Sequence, residues 1–443
     1  MTGVEDARRL LLVTYHFPPS AGGGIPRVLS FARDLPEYGW VPSVLTSPIA
    51  GKAAVDGSTL ESLPAGVTVT RAYCPIARRG LRGHARVEQG VKGGARRFAK
   101  LASKLAMIPD PFAPWIPFAI EKGRALLAAS SHAAIVATYG PPANLLVGAA
   151  LARLSGVPLV VDFRDLWSDL PFAKFPSPVH AAVVRAIERS IIRDAQGVTT
   201  VSDAMSDHIR RRFGLADDRV ATVLNGFEED AFAMVRDDRS ARDRPFRICY
   251  AGAAYEGYDL TPFLTAVRQL ADRGEITPAT FRFHTLGSFA PDVAARHGLA
   301  QFHDCEPFVP RREMFARFAD VDAFLLVEMG EYGARYGYPV KLFDYLLTGK
   351  PILGIVIDGG NAQALLREAN QPHHHVARDV EGLVASLRAL IAARGAPPAR
   401  VRLDQPPLAA FRRRQNAGVL AALLERITGD VTARPRSAST ARG

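Results

Sequence analysis

The chain has little cysteine and no long apolar run. Its 443 residues include three cysteines, Cys74, Cys249 and Cys305, far apart and each in or beside an apolar stretch. That spacing excludes a disulfide framework and a Cys-x-x-Cys metal or redox motif. It reads as small buried hydrophobes in a reducing compartment. No run of about 18 uncharged apolar residues occurs, so no membrane-spanning helix is expected. The short apolar run at 10–13 follows acidic and basic residues and leads into Pro18-Pro19. A small-residue cleavage site is missing there, so the run does not read as a signal peptide. The expected location is cytoplasmic, or peripheral on the inner membrane face.

Most of the chain also lacks any excess of positive charge. The formal charge is +11, yet it concentrates in two stretches. Between Arg78 and Lys104 nine basic residues stand against Glu88 alone, and the tail after Asp430 adds Arg434, Arg436 and Arg442 with no acid. These two stretches carry the whole excess. No aromatic residues interleave them in a way that suits base stacking, so a nucleic-acid partner is not expected. A local basic patch at 78–104 suits an anionic membrane surface or an anionic acceptor. Within it, 94–107 reads as an amphipathic helix with Phe98, Leu101, Ala102 and Leu105 on one face.

What is present is alternation. Hydrophobic content of 48% and charged content of 22% fit a soluble globular protein, and the length calls for two domains. Apolar strands at 10–14, 41–47, 67–73, 133–138, 158–167, 197–201 and 220–227 alternate with helical spacing, for example Val28, Leu29, Ala32 and Leu35 in the helix at 25–38. After a charged linker candidate at 235–245 the pattern restarts. Strands are expected at 246–252, 281–287, 308–310, 323–328 and 351–356, and helices at 260–274, 377–393 and 408–427. This predicts an α/β protein of two doubly wound parallel sheets, whose ligands bind at the carboxyl ends of the strands. The expected division is 1–235, 246–405, a helix at 406–427 returning to the first domain, and a disordered basic tail at 428–443.

Two glycine turns stand out. Gly22, Gly23 and Gly24 lie between the first strand and the first helix. Near the other end, Lys341 and Asp344 head a helix that runs into Thr348-Gly349-Lys350-Pro351. A glycine turn before a helix lets backbone N–H groups approach a phosphate, and a helical carboxylate suits a sugar hydroxyl. Two half-sites in two halves predict a ligand held in a cleft. The run His373-His374-His375 has no nearby cysteine and reads as a solvent-exposed tract, so no metal site is expected.

The segments TYHFPPSAGGGIPRVLSFARDLPEYGW, DFRDLWSD, TTVSDAM, VLNGFEEDAF, ICYAGAAYEGYDLTPFLTAV and KLFDYLLTGKPIL occur in that order. Together they resemble the retaining nucleotide-sugar-dependent glycosyltransferases of family 4, with the GT-B fold, over roughly residues 8–425. The resemblance implies two Rossmann-like domains facing across a cleft, the acceptor mainly on the first and the nucleotide sugar mainly on the second. It implies no metal and no cofactor beyond the donor. The activity it implies is transfer of a sugar from a nucleotide-diphosphate sugar to a glycan or lipid-linked acceptor, in cell-surface polysaccharide or glycolipid synthesis. A nucleotide-sugar epimerase or hydrolase, or a non-catalytic binding relative, are the alternatives.

Carried over residue by residue, the resemblance assigns donor binding to Gly22, Gly23, Gly24, Gly252, Arg335, Lys341, Asp344 and Phe308. By their place at strand ends, His16, Asp162 and Arg164 are the candidates for acceptor orientation and catalysis, with an internal Arg164–Asp165 ion pair and packing of His16 beside Pro18 as the alternatives. Asp344 stands at the second carboxylate of the family's paired motif, the ribose acceptor. The first should lie eight positions earlier, where this chain has Tyr336; Glu331 is the nearby substitute. The Arg and Lys that the family carries after its first C-terminal strand are missing from 252–258, leaving Lys341 and Arg335 as replacements.

Overall fold

A computed structural model describes residues 8–20, 24–48, 60–75, 108–171, 173, 175–234, 244–252, 258–287, 292–395 and 401–429. The chain divides into two compact units, one of residues 1–223 with 414–443 and the other of residues 224–413. The first unit therefore ends at 223 rather than 235, because Leu224 and Phe227 already pack in the second core. The linker candidate falls largely outside the described residues, as do the expected helix at 94–107, the rest of the basic patch, the tail from 430, and Gly22 and Gly23.

The first unit is a seven-stranded sheet in the order β3-β2-β1-β4-β5-β6-β7. Its strands are β1 (Arg8–Val13), β2 (Trp40–Thr46), β3 (Thr68–Arg71), β4 (Ala134–Thr138), β5 (Leu159–Asp162), β6 (Gly197–Thr200) and β7 (Val220–Thr222). Every pairing is parallel. The central strands are buried along their length, as continuous apolar runs demand when helices cover both faces. Helix α1 (Ile25–Asp34) follows β1, and the final helix of the chain (Arg413–Gly429) packs Leu420, Leu423 and Leu424 into the same core as Leu10, Val28 and Leu29.

The second unit is a six-stranded parallel sheet in the order β10-β9-β8-β11-β12-β13. Its strands are β8 (Phe246–Ala251), β9 (Phe281–Leu286), β10 (His303–Glu306), β11 (Ala323–Val327), β12 (Ile352–Val356) and β13 (His374–Val376). The strand expected at 308–310 is instead a loop after β10. Pro307 and Pro310 there carry no N–H for a ladder. The three histidines are not a loose tract: His374 and His375 belong to β13, and His373 and His375 both reach the Ser386 hydroxyl, at 3.1 and 2.8 Å.

In both sheets the strand order reverses beside the first strand of the unit, between β1 and β4 and between β8 and β11. Such switch points open a crevice at the carboxyl ends. The residues after β1 and after β8 are thus placed at binding positions by topology alone. The Thr348-Gly349-Lys350-Pro351 turn serves the core. Gly349 takes φ +67, and the buried Lys350 ammonium donates to the carbonyls of Phe318, Ala319 and Val321 at 2.7, 2.8 and 2.7 Å. These carbonyls lie at the end of the helix Arg311–Phe318 and just beyond it, where the helix leaves acceptors unpaired within itself.

Where the chain enters and leaves the second unit, its two passes pair: Phe227 N–H donates to Phe411 O at 3.0 Å and Arg413 N–H to Phe227 O at 3.1 Å. A Cβ at Gly226 would fall on the Phe411 carbonyl oxygen. Gly226→Ala is expected to cost about 1–3 kcal/mol by overpacking, read as a lowered denaturation midpoint with an unchanged slope.

Candidate functional site

In the first unit, three strand ends converge. Asp162 closes β5 and is fully buried. Its carboxylate takes Nε and Nη2 of Arg27 from α1, with a shortest contact of 2.6 Å, the Thr138 hydroxyl from β4 at 2.8 Å and the Thr199 hydroxyl from β6 at 2.6 Å. Arg27 also donates to Val223 O, just beyond β7, at 2.7 Å. Burial by itself would raise the Asp162 pKa, but the Arg27 charge and these hydrogen bonds overcome it and hold the carboxyl below its ordinary range. Expected as a catalytic group, Asp162 is instead enclosed, with its oxygens engaged inside the unit.

Arg164, two residues on, is turned to other use. Its Nε donates to Tyr139 O at 2.8 Å and its Nη2 to Gly140 O at 3.0 Å. A Cβ at Gly24 or at Gly140 would collide with the guanidinium, and Gly140 has φ +95. Two glycines from separate strand–helix turns thus make room for one cation. Gly24 has this steric reason to be glycine, a function the sequence reading assigned to phosphate approach. Gly140 was not singled out; the signal was its place between a strand and a helix, like Gly24.

His16, after β1, has an exposed ring set edge-on to Phe112 at 5.7 Å. The surrounding protein, and after it the charge of Arg164, hold its pKa below the ordinary imidazole value. A neutral imidazole at pH 7 is able to accept or donate a hydrogen bond. Nearby, Asp110 accepts the Phe112 and Ala143 N–H groups, each at 2.6 Å, and burial pushes its pKa up to about 6. The sequence reading passed over it.

In the second unit, β8 leads into Gly252, which has φ +116 and whose N–H is spent on Leu286 O at 2.7 Å. Its contribution is therefore a missing side chain. A Cβ there would lie 3.6 Å from Lys341 Nζ. Lys341 sits on the helix Val340–Thr348, over the Tyr250 ring at 3.7 Å and the Tyr258 ring at 4.9 Å, and donates to Tyr250 Oη at 2.5 Å. One turn on, Tyr345 Oη accepts the Ala251 N–H at 2.8 Å. Burial lowers the Lys341 pKa to about 7.

Asp344, on the same helix, is 8% exposed and accepts Nη2 of Arg311 at 2.8 Å. Burial pushes its pKa up, and Arg311 and Arg413 offset this only in part. The expected ribose acceptor is therefore already paired with a cation of its own unit. Arg335 is exposed, its guanidinium 5.3 Å from the Tyr336 ring, and Phe308 is 43% exposed on the loop after β10. Glu331 is exposed in a short helix at Gly330–Tyr336. Among the described residues, no group of three or more His, Cys, Asp or Glu is placed to hold a metal, and no helix is long and apolar enough to cross a membrane.

Two Rossmann-like parallel-sheet units, each with a switch point beside its first strand, define the GT-B class of fold. Residues 22–226 match the model of the glycosyl transferase 4-like domain. Sucrose-phosphate synthase from Thermosynechococcus elongatus is similar over 96% of this chain and 98% of its own, with TM-score 0.60 and 13% identity. The α,α-trehalose 6-phosphate synthase of Burkholderia multivorans is similar over 97% and 99%, with TM-score 0.57 and 14% identity. The lipopolysaccharide outer core galactosyltransferase WaaB is similar over 95% and 99%, with TM-score 0.54 and 11% identity. No curated protein matches the chain by sequence. The chain has the GT-B fold, and its residues 22–226 match a glycosyl transferase 4-like domain.

Removing the charge of Asp162 would strand the buried Arg27. Asp162→Asn is expected to cost roughly 3–5 kcal/mol in unfolding free energy. Because the folded pKa lies below the unfolded one, this stabilisation is present above about pH 4 and is lost as pH falls through the folded value. The wild-type advantage over Asp162→Asn, read by denaturant titration at successive pH values, should therefore shrink on acidification.

Proposed function

We propose that this protein moves a sugar from a nucleotide-diphosphate sugar to a glycan or lipid-linked acceptor, with retention of configuration and without a metal. The observation that supports it most is the Lys341 amine at the Gly252 turn, in a chain whose first half matches a glycosyltransferase domain. The amine, once protonated, offsets diphosphate charge as the bond to the sugar breaks. Exposed Phe308 and Arg335 are offered to the nucleotide and the sugar. In the first unit, His16 and Arg164 orient the acceptor hydroxyl. The leaving phosphate takes the acceptor proton, so no strong carboxylate base is needed, consistent with Asp162 being enclosed. One of the similar structures is titled a lipopolysaccharide core galactosyltransferase, which favours a cell-surface glycan product. The basic residues at 78–104 would then attract the anionic membrane surface that carries a lipid-linked acceptor, placing the enzyme on the inner face of the membrane.

The pairing of Asp344 with Arg311 favours one second reading, a protein that binds nucleotide sugars without transferring them. The test is nucleotide release from a panel of nucleotide sugars, with and without membrane lipid extract. Release that depends on lipid supports the proposal. Release without acceptor points to a hydrolase, and binding without release to the second reading. Lys341→Met is expected to lower kcat/KM for the active donor by about 10- to 100-fold, the loss of one charge-assisted contact.

A further inference from the structure

Three groups meet at Lys341 that the proposed transfer does not by itself require. The Tyr250 ring is fully buried in the core, yet its hydroxyl reaches out to accept a hydrogen bond from Lys341 Nζ at 2.5 Å, and its face lies under the same nitrogen at 3.7 Å. The Tyr258 ring lies 4.9 Å from the same nitrogen. A Cβ at Gly252 would lie 3.6 Å from that nitrogen. An aromatic face attracts an ammonium, while the exclusion of water by the same rings disfavours it. The result is an amine fixed in place and poised near neutrality, its pKa lowered to about 7 by burial. Of the titratable groups around it, Tyr250 comes from β8, Tyr258 from the segment after it, and Asp344 from its own helix. Asp344 is committed to Arg311.

We infer that Tyr250 and Tyr258 are positioning residues that seat the Lys341 amine at the Gly252 turn and hold it in reserve, to take up a proton from solvent as a diphosphate arrives. The inference rests on the reading of Lys341 as the diphosphate contact. Its consequence is that donor binding is coupled to proton uptake: the amine plus one proton becomes the ammonium, and the bound diphosphate keeps it so. A lysine fixed at full charge would bind the product diphosphate as tightly at high pH as at low. This one releases it more readily as pH rises above neutrality.

The chain has only eight lysines, so each can be followed separately. Trace acetylation of the full-length protein, read peptide by peptide by mass spectrometry between about pH 6 and 10, reports the titration of each amine. Lys341 should titrate near 7, well below the exposed lysines. Saturating inorganic pyrophosphate should raise its apparent pKa by at least about one unit, a tenfold change in proton affinity. Tyr250→Phe keeps the buried ring and removes only the acceptor. It should weaken pyrophosphate protection of Lys341 by at least about tenfold, the worth of a hydrogen bond to a charged group. Tyr258→Leu should weaken it similarly; because Tyr258 packs partly buried against the core of the second unit, its Tm is read alongside to separate lost protection from lost stability.

A Lys341 that titrates near 10, or one that pyrophosphate does not move, overturns the inference. So does unaltered protection in both tyrosine variants, since rings that merely fill space would give that result. If Lys341 behaves as stated while no nucleotide sugar is bound or turned over, the seat stands and the transferase reading fails.

Discussion

The first unit depends on one buried ion pair. Arg27 and Asp162 are almost completely withdrawn from water, at 3% and 0% side-chain exposure. Two bare charges in that position would be strongly destabilising; they persist because every partner is supplied. The threonines come from the strands on either side of β5, and a backbone carbonyl comes from beyond the last strand. One guanidinium thus ties the first helix to the carboxyl ends of β4, β5, β6 and β7. With Asp162 spoken for, the chain turns sharply enough that Arg164 is gripped by the Tyr139 and Gly140 carbonyls and lies beside Gly24. The site is built on top of the pair rather than from it.

The second unit reaches a comparable end with less charge. The helix carrying Lys341 and Tyr345 meets the last two residues of β8, Lys341 on Tyr250 and Tyr345 on Ala251. That double contact, four residues apart on one helix, fixes the helix against the strand that leads to the switch point. Asp344 points to Arg311 and belongs to the unit's internal bracing. The cation therefore stands beside Gly252 while the carboxylate is paired with Arg311.

The sheets were legible because a parallel strand covered on both faces must be a continuous apolar run, and LLLV, AIVAT and LVVD are such runs. Gly24 and Gly349 were legible as glycine positions because a side chain would clash at the first and the backbone is left-handed at the second. The fate of the charged residues was not. A charge at a strand end looks the same in sequence whether it faces a substrate or a partner far away. Asp162 meets an arginine 135 residues earlier, Asp344 one 33 residues earlier, and Lys341 a tyrosine 91 residues earlier. Only the fold brings those partners together. The strand expected at 308–310 failed for a local reason, its two prolines, which the sequence did display.

The central claim is that the second unit receives the donor through the end of β8 and the helix that follows 339. Hydrogen exchange read by mass spectrometry, with and without saturating nucleotide sugar, tests it most directly. The account predicts slowed exchange concentrated in peptides covering 248–252 and 340–346. No change there under a ligand that demonstrably binds, with protection elsewhere in the chain, would contradict it.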